Sequence, residues 1–231
     1  ADTLGVRTEK VDSTPVLREM GIYRHLPKTL FANRRLASVI VRGAYSLLSK
    51  LGGQTLFLKG LKGTDSALLR RANAYYRLKH RLRMAMLYSY AERQNLLVVG
   101  AANKTEFLTG FFVQYGDSAA DVMPLLPLYK TQVRQLGWHL GIPKSILEKS
   151  PSPDLIPGIT DEFAIGIPYE KLDLVLLGLE LNKRTQEIAQ AAGLREKEVE
   201  YVKRLTKESD HMRSSPWVPP WPDGDRLERA Q

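Results

Sequence analysis

The sequence predicts an α/β protein, a Rossmann-like parallel sheet flanked by helices. Three observations carry this. Asn95 to Ala101 is a continuous apolar run of strand length, which suits a parallel strand covered on both faces. Extended segments are separated by stretches with helical spacing, the pattern of strands joined by crossover helices. With 231 residues, 43% of them apolar, the chain can bury a sizeable core.

The elements follow in order. Leu4-Gly5 reads as the end of a helix with Gly5 as its cap, and Arg7 to Asp12 as a short strand. A helix end with no helix before it leads to the expectation that part of a larger domain lies upstream. Ser13-Thr14-Pro15 is a helix start, leading into Val16 to Leu26 and stopped by Pro27. Leu36, Ile40, Ala44, Leu47 and Leu51 have helical spacing and predict a second helix that ends at Gly52-Gly53. Gln54 to Gly63 is apolar and punctuated by glycine, and fits neither period. Thr64-Asp65 is placed to cap a long helix from about Ser66 to Arg93.

Beyond the apolar run, Leu128 to Leu140 and Lys144 to Lys149 read as helices, and Pro151, Pro153 and Pro157 impose an extended loop. Tyr169 to Leu181, Thr185 to Ala192 and Glu196 to Lys207 are helical, and the tail from Ser214 to Asp225 is irregular. The expected organisation is an incomplete nucleotide-binding α/β domain over 1–181, then a helical C-terminal section and tail over 182–231.

Composition narrows the function classes. The apolar stretches, Leu36 to Val41 and Leu172 to Leu177 among them, fall far short of the roughly 20 residues that span a bilayer, so no membrane partner is expected. There is no cysteine, which removes disulfides and thiolate metal sites, and Ala1 to Lys10 lacks the apolar stretch of a secretory signal; the expected location is cytoplasmic. A net charge of +9 invites a phosphate-bearing partner. No zinc-finger, RRM or KH pattern accompanies it, so small phosphorylated molecules are expected rather than nucleic acid.

In an open α/β sheet, ligands settle beyond the carboxyl ends of the strands, which directs attention to the loop after Val98-Val99-Gly100. That loop, Ala101-Ala102-Asn103-Lys104-Thr105-Glu106, puts a carboxylate on the first turn of a helix. Gly116-Asp117 reads as a turn. Lys130 opens the next helix, where backbone N–H groups favour anions and an ammonium adds a point charge. Ser152 stands between two prolines that restrict its backbone. His80 reads as a surface residue, since a lone histidine lacks the partners of a metal site.

Taken together these segments resemble the ammonia-dependent NAD synthetases, members of the ATP pyrophosphatases, most densely between Arg81 and Tyr169. Leu128-Tyr129-Lys130-Thr131-Gln132-Val133-Arg134 matches a family stretch residue for residue. The run Gly110 to Asp121 is similar to Gly-Phe-Phe-Thr-Lys-Tyr-Gly-Asp-Gly-Ala-Ala-Asp, Lys79 to Met84 to Lys-Ala-Arg-x-Arg-Met, Pro151 to Leu155 to Pro-Ser/Thr-Ala-Asp-Leu, and Ser209 to Arg213 to Ser-x-His-Lys-Arg. Thr160-Asp161-Glu162 and Gly166-Ile167-Pro168-Tyr169 resemble stretches that organise the loop.

The resemblance implies an adenine nucleotide α-hydrolase-like fold and a ligase that amidates deamido-NAD with ammonia. The deamido-NAD carboxylate would attack the α-phosphate of ATP, giving an adenylate and pyrophosphate, and ammonia would then displace AMP. It places Lys130 and Ser152 on ATP, Glu106 on Mg2+, and Arg81, Gln114, Asp121 and His211 on deamido-NAD, with no catalytic base and with a homodimer as the assembly. The sequence departs from the motifs at Ala101, where a threonine is usual, and at Gln114 and Met212, where lysines are usual. The family's Ser-Gly-Gly-x-Asp-Ser pyrophosphate loop has no match, so the first strand-loop-helix is expected to be missing and this stretch alone to be inactive. Two alternatives stay open: another ATP pyrophosphatase, sulfur-transferring or amidating, or a non-catalytic nucleotide-binding paralogue.

Overall fold

The computed structural model describes residues 5–21, 34–51, 55–63, 65–152, 158–214, 216 and 218–219. Its helices are α1 (Thr14–Glu19), α2 (Arg34–Leu51), α3 (Leu56–Lys62), α4 (Ala67–Gln94), α5 (Lys104–Thr109), α6 (Lys130–His139), α7 (Lys144–Leu147), α8 (Asp161–Ile165), α9 (Tyr169–Glu180), α10 (Thr185–Ala192), α11 (Glu196–Glu208) and α12 (Asp210–Arg213).

The main core is built on α9. Leu172, Val175 and Leu176 recur at helical spacing on its buried face and pack against Ile188, Ala189 and Ala192 of α10 and Val199, Val202 and Leu205 of α11. Fully burying each large aliphatic side chain contributes about 1.5–3 kcal/mol, so these helices form the stable base of the molecule. The undecided segment before Gly63 is the helix α3. Thr55 accepts the Leu58 N–H at its start, and Leu58 and Leu61, three residues apart, complete the same core. A smaller cluster of Met84, Ala91 and Val98 joins α4 to the segment that follows it.

The long predicted helix is α4, capped by Ser66, whose hydroxyl accepts the Leu69 N–H, and closed by Asn95 in the left-handed conformation at φ 52°. Thr64 of the expected cap lies outside the described residues. So do 22–33, which hold the rest of the first predicted helix, residues 153–157 of the proline loop, and most of the tail. Within the described part, α1 stops at Glu19.

The sheet is the main departure. Residues 6–13 carry no regular structure and are mostly exposed, and the run 96–100 makes one isolated parallel bridge, Val99 to Val122. Gly100 N–H donates to Val122 O at 2.8 Å and Asp121 N–H to Val98 O at 2.9 Å. A parallel strand inside a sheet needs a neighbour on both sides, and here 121–122 supply one. Leu97 and Val99 accordingly remain 70% and 65% exposed. The apolar run has the composition of a strand buried on both faces, but among the described residues only the Val98 side is covered, by Met84 and Ala91 of α4.

Candidate active site

Two helix starts meet around one buried carboxylate on α9. Asp173, on the buried face of α9 beside Leu172, Val175 and Leu176, accepts from Thr105 Oγ1 at 2.6 Å and from Thr131 N–H at 2.8 Å; Thr105 Oγ1 in turn accepts the Lys130 N–H at 2.9 Å. Burial pushes the Asp173 carboxyl above its ordinary value, a cost that these hydrogen bonds oppose. The starts of α5 and α6 are thereby fastened to α9 and to each other.

At this junction two of the three residues that the sequence assigns to the phosphates and metal, Glu106 and Lys130, come together. Glu106 closes a capping box with Asn103: its N–H reaches Asn103 Oδ1 at 3.1 Å while its Oε2 accepts the Asn103 N–H at 3.2 Å. The other oxygen, Oε1, lies 2.8 Å from Lys130 Nζ, with both side chains mostly buried. Lys130 also stands over the Tyr169 ring at 5.4 Å. One expectation needs correction. The first amides of α6 do not wait for an anion, because Lys130 and Thr131 N–H are already spent on Thr105 and Asp173. Anion attraction here rests on the ammonium.

The floor is Tyr169, fully buried. Its hydroxyl donates to Asp161 Oδ2 at 3.0 Å and its N–H to Glu162 Oε1 at 3.0 Å. Asp161, 5% exposed, keeps Oδ1 without a partner, and burial pushes its carboxyl up. The Asp161 N–H donates to Pro151 O at 3.1 Å, which ties the Ser152 loop to α8. Ser152 itself is exposed and its hydroxyl donates to Ile159 O at 3.1 Å. Helix α2 braces this wall: Tyr45 donates to Ala164 O at 2.8 Å and accepts the Phe57 N–H at 3.1 Å.

The four residues assigned to deamido-NAD are not gathered in the same way. Arg81, exposed on α4, donates from Nε to Gln114 O at 3.2 Å, so these two adjoin. Asp121 directs its carboxylate to its own surroundings, accepting Val98 N–H at 2.7 Å and the Tyr88 hydroxyl at 3.2 Å. His211 is exposed on α12. A cavity of about 240 Å3 lies between the loop and α12, lined by Phe107, Phe112, Gln114, Tyr115, Met212 and Arg213 among others. The rings of Phe107 and Phe112 stack there at 5.6 Å.

Several organising residues were not singled out from the sequence. Arg213 donates to Leu108 O at 2.9 Å, Ser209 Oγ at 2.6 Å and Thr206 O at 2.8 Å, clamping α12 against the carbonyl end of α5, where a cation is favoured. Gly110 permits this docking: at φ 71° a Cβ there would stand 2.4 Å from Ser209 Cβ. Asp173 had a sequence signal, a lone acid inside Leu172 to Leu177. His80 is corrected: it is 6% exposed, covered by the loop that follows α5.

Comparison with known proteins adds the following. The family model described as NAD synthase matches residues 56–216. The NH(3)-dependent NAD(+) synthetase of Thermotoga maritima is 42% identical over 212 residues, covering 92% of this chain and 72% of that protein. The one from Coprothermobacter proteolyticus is 45% identical over 182 residues, 78% of this chain and 62% of that protein. The chain thus spans 62–72% of the length of these relatives. Among solved structures, the NMN synthetase from Francisella tularensis has a TM-score of 0.53 at 32% identity, over 78% of this chain and 64% of that one. The NH3-dependent NAD synthetase from Campylobacter jejuni has 0.51 at 25% identity, over 68% and 58%.

Proposed function

This chain belongs to the NAD synthase family, and on that premise we propose that the protein is a ligase that amidates deamido-NAD with ammonia at the expense of ATP. The observation that carries the reading is the 2.8 Å pair of Glu106 and Lys130 at two fastened helix starts. An acid and a base, both mostly buried at the starts of two fastened helices, are suited to receive a cation and an anion together, as a metal-bound polyphosphate would be.

In this reading Lys130 neutralises phosphate charge that develops as the α-phosphate is attacked, and the exposed hydroxyl of Ser152 hydrogen-bonds ATP. Glu106 supplies one oxygen to Mg2+. Among the described residues no group of three or more His, Asp or Glu could cage a metal, and magnesium suits one or two carboxylates completed by substrate phosphates. The ion would supply charge stabilisation on the phosphate oxygens. On the acceptor side Arg81 grips a phosphate or carboxylate with its planar fork, Gln114 and Asp121 hydrogen-bond the dinucleotide, and His211 closes on it from α12. The adenine nucleotide α-hydrolase-like sheet, a homodimer and a cytoplasmic location belong to the same proposal. Among the described residues no helix is long and apolar enough to cross a membrane.

A second reading has its own support. One structural neighbour is an NMN synthetase, and Gln114 and Met212 put neutral side chains where the resembling motifs carry lysines. Both line the cavity beside α12, so a smaller acceptor with fewer phosphates is the competitor.

The test is release of AMP and pyrophosphate from ATP and Mg2+. The proposal expects release only when deamido-NAD and ammonium are both present. Release that ignores deamido-NAD but follows a nicotinate mononucleotide selects the second reading, and release with neither overturns both.

A further inference from the structure

Beside the acceptor loop lies a titratable pair that the amidation reading leaves idle. His80 is 6% exposed on α4 and neither of its ring nitrogens has a hydrogen-bond partner. Leaving a buried imidazole unpaired is costly, so its retention calls for a reason. Its nearest charged neighbour is Asp117 Oδ1, 3.6 Å from Nδ1, just beyond hydrogen-bond reach.

The loop is built onto this histidine. A Cβ on Gly116 would stand 2.8 Å from His80 Cβ, so the Gly116-Asp117 turn rests directly on the helix. Asp117 Oδ1 is held from the other side by the Val113 N–H at 2.7 Å, and Gly116 N–H closes the turn on Val113 O at 2.8 Å. The next residue along α4, Arg81, grips the same loop at Gln114 O. One turn back, the Tyr76 ring meets the imidazole edge-on at 5.2 Å. Alanine, the usual residue here in the resembling motif, would keep the Cβ contact with Gly116 but would bring no imidazole to face Asp117.

We propose that His80 is a positioning residue: through its contact with Asp117 it sets the loop from Val113 to Asp121, and so decides where Gln114 stands relative to Arg81 when the acceptor binds. The identity of that acceptor rests on the amidation reading; the pair and its hold on the turn do not.

The groups facing the pair set its charge state. Burial pushes the imidazole below its usual 6.5; Asp117 opposes this, and Arg83, on the same helix, adds to it. Burial pushes the Asp117 carboxyl above 3.8, with His80 and the Val113 N–H opposing and Glu106 of α5 adding to the rise. Tyr76 is pushed above its ordinary value by burial first and then by Asp117 and Asp161, and stays a neutral neighbour.

The experiment has a ligand-free arm and a ligand arm. In the full chain, the His80 imidazole is titrated by NMR and amide exchange is followed at Val113 and Gly116. Asp117→Asn is expected to lower the His80 midpoint by about one pH unit, because a facing carboxylate favours the imidazolium. His80→Gln is expected to speed exchange at both amides about tenfold. In the ligand arm, His80→Gln weakens deamido-NAD binding about tenfold while ATP binding changes less than about twofold. Should Asp117→Asn not fold, the wild type suffices: saturating deamido-NAD shifts the His80 midpoint and saturating ATP leaves it in place.

A midpoint indifferent to Asp117, or equal weakening of both ligands, overturns the proposal. If the wild type binds no deamido-NAD while the midpoint and the exchange rates respond as expected, the substrate reading falls and the positioning role stands.

Discussion

The two sides of the site are built by different means. On the phosphate side, Glu106, Lys130, Thr105, Thr131 and Asp173 are joined by hydrogen bonds of 2.6–2.9 Å around one buried carboxylate. On the acceptor side, Arg81, Asp121 and His211 are exposed, and each sits on its own element. A side chain held by capping bonds on fastened helices has little freedom left to lose when a ligand arrives, whereas loop and helix-end groups must still be ordered. In the proposed reading the phosphate side is therefore pre-formed, and the acceptor side is where recognition can change. Gln114 and Met212, which stand where the family motifs carry lysines, both fall there.

Experiments can break or sharpen this contrast. The largest effect is expected at Lys130. Lys130→Met should cut the turnover rate by about two to three orders of magnitude, the scale found when a group that stabilises transition-state charge is removed. A melting temperature close to wild type would show that the loss is chemical. Asp173→Ala comes next. It leaves buried partners on two helices unsatisfied and should cost about 2–4 kcal/mol in denaturant unfolding; a cost under about 0.5 kcal/mol would mean that the phosphate side is not fastened as described.

Gly110→Ala should cost about 1–3 kcal/mol, since the new methyl collides with Ser209 at a positive φ. The loss should appear as faster amide exchange in α12, leaving α9 to α11 unchanged.

Stability against pH probes the seam between the two sides. His80, held below 6.5 by burial, takes up a proton less readily folded than unfolded. It therefore contributes a loss of stability as pH falls from 6.5 toward its folded value. Asp117, pushed above 3.8, keeps its proton longer when folded, so its own contribution declines as pH rises through the window above 3.8. Unfolding curves of His80→Gln should lack the first of these dependences, and a curve identical to wild type would contradict the burial. The smallest effect is expected at Met212. Met212→Lys should tighten deamido-NAD binding by a few-fold, about 0.5–1 kcal/mol for a partly exposed charge contact, with ATP affinity unmoved in calorimetry.

How far the residues were legible varies with the range of the interaction that decides them. The start of α4 was readable to within two residues because capping is local, and Thr185–Ala192 coincides with its expected bounds because Gly193 ends it in the left-handed conformation. The Glu106 and Lys130 positions could be read from the motifs that carry them. Their contact could not, since the bond joins residues 24 apart in sequence through Thr105 and Asp173. His80 was misread for the same reason. It sits on a 28-residue helix with basic residues on many sides, so its spacing names no buried face, and the loop that covers it arrives from 33 residues or more away.

By itself the sequence determined the family, the bounds of the helices from Tyr169 onward to within a residue or so, and the residue types at the site, because caps, periodicity and motifs depend on neighbours a few positions apart. The tertiary structure alone decided which strand-like run found a partner, which carboxylate became the shared acceptor, and which histidine was sealed from water. Those outcomes depend on surfaces brought together from distant parts of the chain, where burial changes what a side chain costs and a single hydrogen bond changes what it can do.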